Sequence, residues 1–258
     1  MSFDNKIIND HNPLAVAGVK KKSTLPKLIW VVILTALIAA LCFSTISYYK
    51  HPVAVITGVS MLPNYSQDEV HVTTRVFSTP ERFRVVLFDS SGFDSAEAQE
   101  LRDTKNVKGE FAKRVMGIPG DTITYSLDSG LLLTFNDEPV VYKADPSKRT
   151  FDLVDSENPS ISVGATYLNE TIGSQSHSIY SLSSSKSKMT NEQLTLVEDS
   201  IIPFSAGALS ASVSGDKVTI EVPDGYVLLM SDNRVDGLDS RQMGLLKISS
   251  LISVFEKE

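Results

Sequence analysis

Three short stretches carry the residue types from which an acyl-transfer site can be built. The first is GVSMLPNY, Gly58 to Tyr65, in which Ser60 stands directly before Met61 and shortly before Pro63. A serine beside a turn-forming proline commonly does no more than bond its own backbone. To act as a nucleophile it needs a base from elsewhere in the chain. The second stretch is FAKRVMGIPGDTI, Phe111 to Ile123, which reads as a strand followed by a tight turn. Side chains on a strand alternate, so Lys113 and Val115 share one face while Ala112, Arg114 and Met116 share the other. The segment by itself leaves two readings open for Lys113. It points to water, as most lysines do, or it is buried. Burial disfavours the ammonium, and a fall of about 3 pKa units, equivalent to about 4 kcal/mol, frees a neutral amine that can take the serine proton. The third stretch is PDGYVLLMSDNRVDGLDSRQMG, Pro223 to Gly244. An apolar strand there runs into Asp232, Asn233, Arg234, Asp236, Asp239, Ser240 and Arg241. Such a cluster is either a solvated loop or a set of carboxylate–arginine pairs that fix strand ends around a site.

Other bases compete for Ser60. The four histidines are His11, His51, His71 and His177, and none has an H-E-x-x-H type spacing, so no metal is expected. His71 could complete a Ser-His-Asp triad, yet it stands in a strand of charged and β-branched residues where a half-exposed histidine is ordinary. Ser183 to Lys186 matches S-x-x-K and Ser231 to Asn233 matches S-D-N, two motifs of penicillin-recognising enzymes. The third motif, K-T-G, does not occur after Asn233.

The elements that position these residues begin with a membrane span. From Leu28 to Tyr49 the chain has no charged residue, and about 20 apolar residues suffice to cross a bilayer as a helix. Trp30 and Tyr48-Tyr49 stand near its ends, where interfacial aromatics belong. Lys20, Lys21, Lys22 and Lys27 precede the span, and only Lys50 follows it before Arg75. The positive-inside tendency therefore predicts a cytoplasmic tail over 1–27, an uncleaved anchor over 28–49 and an extracytoplasmic domain over 50–258. A cleavable signal peptide would have a shorter apolar core. Five of the 24 basic and two of the 31 acidic residues fall in 1–49, which leaves the remainder 19 and 29, a net charge of −10. The net charge of −7 over the whole chain argues against nucleic-acid binding. Cys42, the single cysteine, lies in the span, so no intrachain disulfide or thiolate metal cluster is possible.

Beyond the span, short runs rich in Val, Ile, Thr and aromatics predict strands at Val53–Thr57, Glu69–Arg75, Arg84–Phe88, Phe111–Met116, Thr122–Leu127, Leu131–Phe135, Val140–Tyr142, Lys217–Val222 and Tyr226–Met230. Only Ser95–Asn106 and Thr190–Ser200 read as helices. The expected fold is mainly β and antiparallel, with a smaller inserted subdomain over about 142–216. The Ser-rich composition there predicts loops or weak structure.

Together the three stretches resemble the type I signal peptidases, membrane-bound serine proteases that remove signal peptides from exported proteins. Ser60-Met61-x-Pro63 resembles the nucleophile box of that family, FRVVLF its hydrophobic strand box, KRVMGIPGD its lysine box and SDNRVDGLDSR its Gly-Asp-Asn-Arg…Asp-Ser-Arg box. The boxes follow one anchor in the family's order, and the likeness covers most of the chain outside about 142–216.

The resemblance implies a signal-peptidase-like antiparallel β catalytic domain with Ser60 as nucleophile and Lys113 as general base. Met61 and its apolar neighbours would exclude water, and the Ser60 N–H would hold part of the oxyanion. Pro63, Asp232, Asn233, Arg234, Asp239, Ser240 and Arg241 become supporting or substrate-pocket residues. No cofactor or metal is implied. The partners are the lipid bilayer and exported preproteins with small residues at the first and third positions before the cut. Three departures stand out. Ser231 replaces the usual glycine, Gly237 replaces a serine that in many members bonds the lysine, and Asn64-Tyr65 replaces Thr-Leu. With glycine at 237, Lys113 must be oriented by Ser240 or by packing. The alternative is a non-catalytic membrane-anchored relative that assists assembly of secreted or pilus subunits, against which the retained Ser60 and Lys113 weigh.

Overall fold

A computed structural model describes residues 25–76, 80–104, 107–148, 150–155, 157–184, 186–200 and 211–256. Most of the expected tail, with Lys20 to Lys22, lies outside them, as does part of the Ser/Ala-rich stretch before Ser212. The chain divides into two compact units, residues 1–47 and 48–258. Among the described residues the first holds helix α1, Leu25–Lys50, as far as Ser47. Its stretch from Lys27 to Lys50 is long and apolar enough to cross a membrane by length and composition. The proline at position 52 ends it, because the residue before a proline is pushed out of the helical region.

In the second unit the strands are, in chain order, β1 (Val53–Val55), β2 (Val70–Arg75), β3 (Val85–Asp89), β4 (Glu110–Gly117), β5 (Thr122–Ser126), β6 (Leu132–Phe135), β7 (Glu138–Pro139) and β8 (Val141–Ala144). There follow β9 (Phe151–Val154), β10 (Ser162–Ile172), β11 (Gln175–Leu182), β12 (Ser212–Ser214), β13 (Lys217–Glu221), β14 (Tyr226–Met230), β15 (Leu246–Lys247) and β16 (Leu251–Phe255). Helix α2 (Ala96–Thr104) lies between β3 and β4, α3 (Asn191–Ser200) follows β11, and α4 (Ser240–Met243) follows β14. The strands form three sheets: β1-β2-β16-β3-β4-β14-β15, β12-β13-β5-β6-β7, and β11-β10-β8 with β9 also on β10. Each strand pair in them is antiparallel. The fold is mainly antiparallel β, as expected.

Strand β4 runs through the middle of the largest sheet, between β3 and β14. Val115 packs with Val86, Phe88, Leu229 and Leu246 on one side. Met116 packs with Ile123, Leu132, Ile220 and Met230 on the other. Apolar clusters on both faces bury the strand from Lys113 to Gly117, so neither face is free to carry the lysine into water.

Two expectations are corrected. The Ser-rich segment read as loop or weak structure contains β11, eight residues paired along its length with the eleven-residue β10 through a two-residue turn at Gly173-Ser174. Its inward positions are Ile179 and Ser181, and pairing of Ile179 with Leu168 and of Tyr180 with Tyr167 across the ladder overrides composition. Strand β16 is absent from the expected strands because its inward positions are Leu251, Ser253 and Phe255, and the buried serine breaks the apolar alternation.

Candidate active site

Ser60 stands in the turn that follows β1. The turn is closed by Leu62 N–H donating to Val59 O (3.1 Å) and Asn64 N–H donating to Met61 O (3.1 Å), with Pro63 half-buried between them. Met61 is buried against Ala54, Ile56, Val85 and Phe255. This pins one side of the turn and leaves Ser60 half-buried at its rim. From β4, Lys113 brings its Nζ to 2.7 Å from Ser60 Oγ and 3.0 Å from Ala112 O. The lysine is 3% exposed. Burial pushes its ammonium down to about 8, against the pull of Asp239 and Asp232, while Arg241 acts with burial. The buried alternative is therefore the one realised.

The charged run after β14 holds the strand ends around this pair. Asp239 accepts from the Ser231 N–H (2.8 Å), from the Arg241 N–H (3.0 Å) and from the Arg241 guanidinium at 2.9 and 2.8 Å. Burial opposes its charge, but Arg241 and these N–H groups outweigh burial and hold its carboxyl below the usual range. Asp239 also caps α4, with Gln242 bonding back to the Asp239 N–H. Arg114 grips Asp232 with two parallel bonds, 2.7 and 2.5 Å. Asn233 N–H donates to Ser60 O (2.9 Å) and its side-chain amide donates to Val59 O (3.3 Å), which ties the serine turn to this loop. Arg234 donates to Ser231 O (2.7 Å) and to Glu170 Oε2 (2.8 Å).

Ser240 is placed differently from expectation. Its hydroxyl accepts from the Leu229 N–H (2.9 Å), so it fastens β14 and makes no bond to Lys113. His71 also lies away from the serine. It packs against Tyr65 and Phe255 and bonds Glu69 at 3.3 Å. Ser183 bonds Thr166 at 2.7 Å at the end of β11, apart from Ser231 to Asn233 in role and partners.

Several contributing residues carry no readable signal in the sequence. Asn64 bridges Asp232 Oδ2 and Ser178 O, both at 2.6 Å. Tyr180 exchanges backbone bonds with Asp232 (3.0 Å) and Arg234 (2.8 Å). Glu170 is fully buried with Arg234, His177 and Tyr142 around it. Burial opposes its ionisation, yet Arg234 and His177 hold its carboxyl down at about 2. These partners are far apart in sequence, and the one available signal is a glutamate within an alternating strand. Asp236 lines the cleft beside Lys113, where burial pushes its carboxyl up against the lysine's opposite pull.

Ser60 and Lys113 open onto a cleft of about 290 Å³ whose walls include Val55, Leu87, Phe93, Phe111 and Met243. Among the described residues no group of three or more His, Cys, Asp or Glu could hold a metal ion. A small apolar cleft thus ends at a hydroxyl and a buried amine on an antiparallel β frame. The family model described as "Signal peptidase, peptidase S26" matches residues 27–256, and the chain belongs to that family of peptidases, which act on signal peptides. Among solved structures, a signal peptidase I from Enterococcus faecalis matches at 19% identity, over 70% of this chain and 100% of that chain, with a TM-score of 0.31. That likeness is too loose to carry any residue across. No curated protein sequence matches the chain.

Proposed function

We propose that the protein is a membrane-bound serine endopeptidase that removes N-terminal signal peptides from exported preproteins through Ser60 and Lys113. The observation that supports this most is the 2.7 Å approach of a buried Nζ to the Ser60 hydroxyl. A neutral Lys113 amine takes the hydroxyl proton as Ser60 Oγ attacks the scissile carbonyl carbon, giving a tetrahedral intermediate. The ammonium then returns that proton to the leaving amine, and water, activated by the same amine, hydrolyses the acyl-enzyme. The Ser60 N–H donates to no group among the described residues, which leaves it available to the oxyanion. One such donor is worth roughly 3 kcal/mol. The apolar walls of the cleft suit small side chains at the first and third positions before the cut. Helix α1 serves as a single-pass anchor, with the N-terminus cytoplasmic and residues 50–258 outside.

The test is cleavage of a preprotein with a small-x-small site by the full-length protein in detergent micelles. Cleavage is expected, with at least a ~10³-fold loss in Ser60→Ala and in Lys113→Ala. Cleavage that survives either change refutes the mechanism, and binding without turnover by the intact protein supports an assembly role instead.

A further inference from the structure

Ser231 follows β14, and its hydroxyl is fully buried with no hydrogen-bond partner among the described residues. A buried hydroxyl in that state is a standing cost to the fold that an apolar side chain would avoid, so the group it serves has to be found. The strand ladder supplies one. On β14 and β4, Leu229 is opposite Val115 and Met230 is opposite Arg114. The next position along that register sets Ser231 level with Lys113. Leu229 and Val115 pack into the same apolar cluster, and by alternation Ser231 and Lys113 project to that same face. Residues opposite one another on antiparallel strands hold their Cβ atoms about 4.5–5.5 Å apart.

Lys113 has a matching donor to spare. Among the described residues its Nζ bonds Ser60 Oγ and Ala112 O only. A neutral amine with its lone pair toward the serine proton and one N–H on Ala112 O has one N–H left over, and so does the ammonium after proton transfer. Gly237 bears on the same space. A Cβ built on it would overlap the Ser231 hydroxyl and lie 2.5 Å from the Ser231 Cβ and 2.9 Å from Asn233 O. Its backbone is not in the left-handed region, so space alone reserves that position for glycine. Of positions 231 and 237, only one can carry a side chain into this space.

We propose that Ser231 is a positioning residue for Lys113. From the space that Gly237 keeps open, its hydroxyl accepts the remaining N–H of the amine and aims the lone pair at Ser60. No bond joins the two groups in the structure; rotation of the Ser231 side chain about its Cα–Cβ bond makes it, with or without a peptide in the cleft. The inference rests on the reading of Ser60 and Lys113 as the reacting pair.

The experiment compares wild type, Ser231→Ala, Ser231→Gly and the exchange variant Ser231→Gly/Gly237→Ser, all full length in detergent micelles. The substrate is a synthetic peptide with alanine at the first and third positions before the cut. Ser231→Ala is expected to lower kcat about tenfold, the worth of one hydrogen bond, with KM unchanged. The midpoint of the alkaline rise should move down by several tenths of a unit, because an accepting hydroxyl favours the ammonium. The Tm should change little, since the bond lost to Lys113 is offset by the buried hydroxyl removed with it. The exchange variant puts a hydroxyl on the other side of the same space once Asn233 O, 2.9 Å from the new Cβ, gives way by a few tenths of an ångström, and it should recover part of kcat relative to Ser231→Gly. A Ser231→Ala protein with wild-type kcat and midpoint overturns the proposal and leaves the Ser60–Lys113 reading intact. Titration of the Lys113 side chain by NMR in the resting protein decides the matter without a substrate: a lower midpoint in Ser231→Ala supports the contact, and an unchanged one refutes it even if no peptide is cut.

Discussion

Replacing Lys113 by methionine should stabilise the protein while it abolishes cleavage, and the gain should depend on pH in a defined sense. The lysine's ordinary value is 10.5 and burial holds it at about 8. That difference of about 2.5 units, at about 1.4 kcal/mol each, amounts to about 3 kcal/mol. Below the lower value both the folded and the unfolded chain carry the proton, and the folded state bears the whole cost of a buried ammonium. Between the two values the unfolded chain holds more protons, so wild-type stability rises with pH and the cost is gone above the upper one. Methionine has a similar length and never bears this cost. It forfeits the bonds to Ser60 Oγ and Ala112 O, each worth about 1 kcal/mol. The net gain of Lys113→Met near pH 7 is therefore about 1 kcal/mol, and near pH 11 the variant should be less stable than wild type by about 2 kcal/mol. The lost bonds count equally at both pH values, so the change in the difference, about 3 kcal/mol, isolates the net cost of the ammonium at this site, burial less the pull of the neighbouring aspartates. Urea unfolding followed by circular dichroism in detergent micelles measures it at both pH values. A difference between variant and wild type that is the same at pH 7 and pH 11 would show that Lys113 carries no desolvation cost, and the basis for its acting as a base at neutral pH would fall.

The same depression sets the activity profile: kcat/KM should climb tenfold per unit below about pH 8, the value to which burial brings Lys113, and flatten above it. A profile level from pH 6 to 10 would contradict a lysine base. Glu170→Gln leaves the fully buried Arg234 guanidinium without its anion and should cost about 3–5 kcal/mol near pH 7, read as a fall in Tm. Because Arg234 and His177 outweigh burial and hold Glu170 at about 2, the wild-type carboxylate gives its full contribution above the ordinary value near 4.5. It loses that contribution as pH falls through about 2, where the two proteins should converge. A Glu170→Gln protein as stable as wild type at pH 7 would mean that the Arg234 pair is not holding the loop.

Those two sites differ sharply in how visible they are in the sequence. Ser60 and Lys113 are 53 positions apart, but each sits in a short stretch whose residue types already imply a nucleophile and a strand lysine. What the strand cannot disclose is the side on which Lys113 falls, because alternation orders faces without saying which is wet. The answer comes from β4 lying between β3 and β14 with apolar clusters on both sides. Glu170 is illegible for a different reason. Its partner Arg234 is 64 positions away, and the β10–β11 hairpin that carries it to the site is written in serine, threonine and tyrosine, whose strand preference depends on neighbours across the ladder. Ser240 shows the limit of reading a hydroxyl by proximity in sequence. It lies beside the charged cluster, but the Leu229 N–H at the end of β14 needs an acceptor and takes it.

The charged loop acquires a purpose beyond scaffolding when its effect on the lysine is followed group by group. Asp239, Asp232 and Asp236 all favour the ammonium, and burial prevails over them with help from Arg241. Three carboxylates close to one amine would ordinarily win that contest. Here Asp239 is clamped by Arg241 and by the Ser231 N–H, and Asp232 by Arg114 and Asn64, so each of these two negative charges is met by a guanidinium at hydrogen-bond distance. Asp236 has no arginine partner among the described residues, and burial pushes its own carboxyl toward the neutral form, which weakens its field. The arginines thus do two things with one set of bonds: they hold the ends of β4 and β14 where Lys113 meets Ser60, and they keep the neighbouring acids from restoring the proton that burial removes.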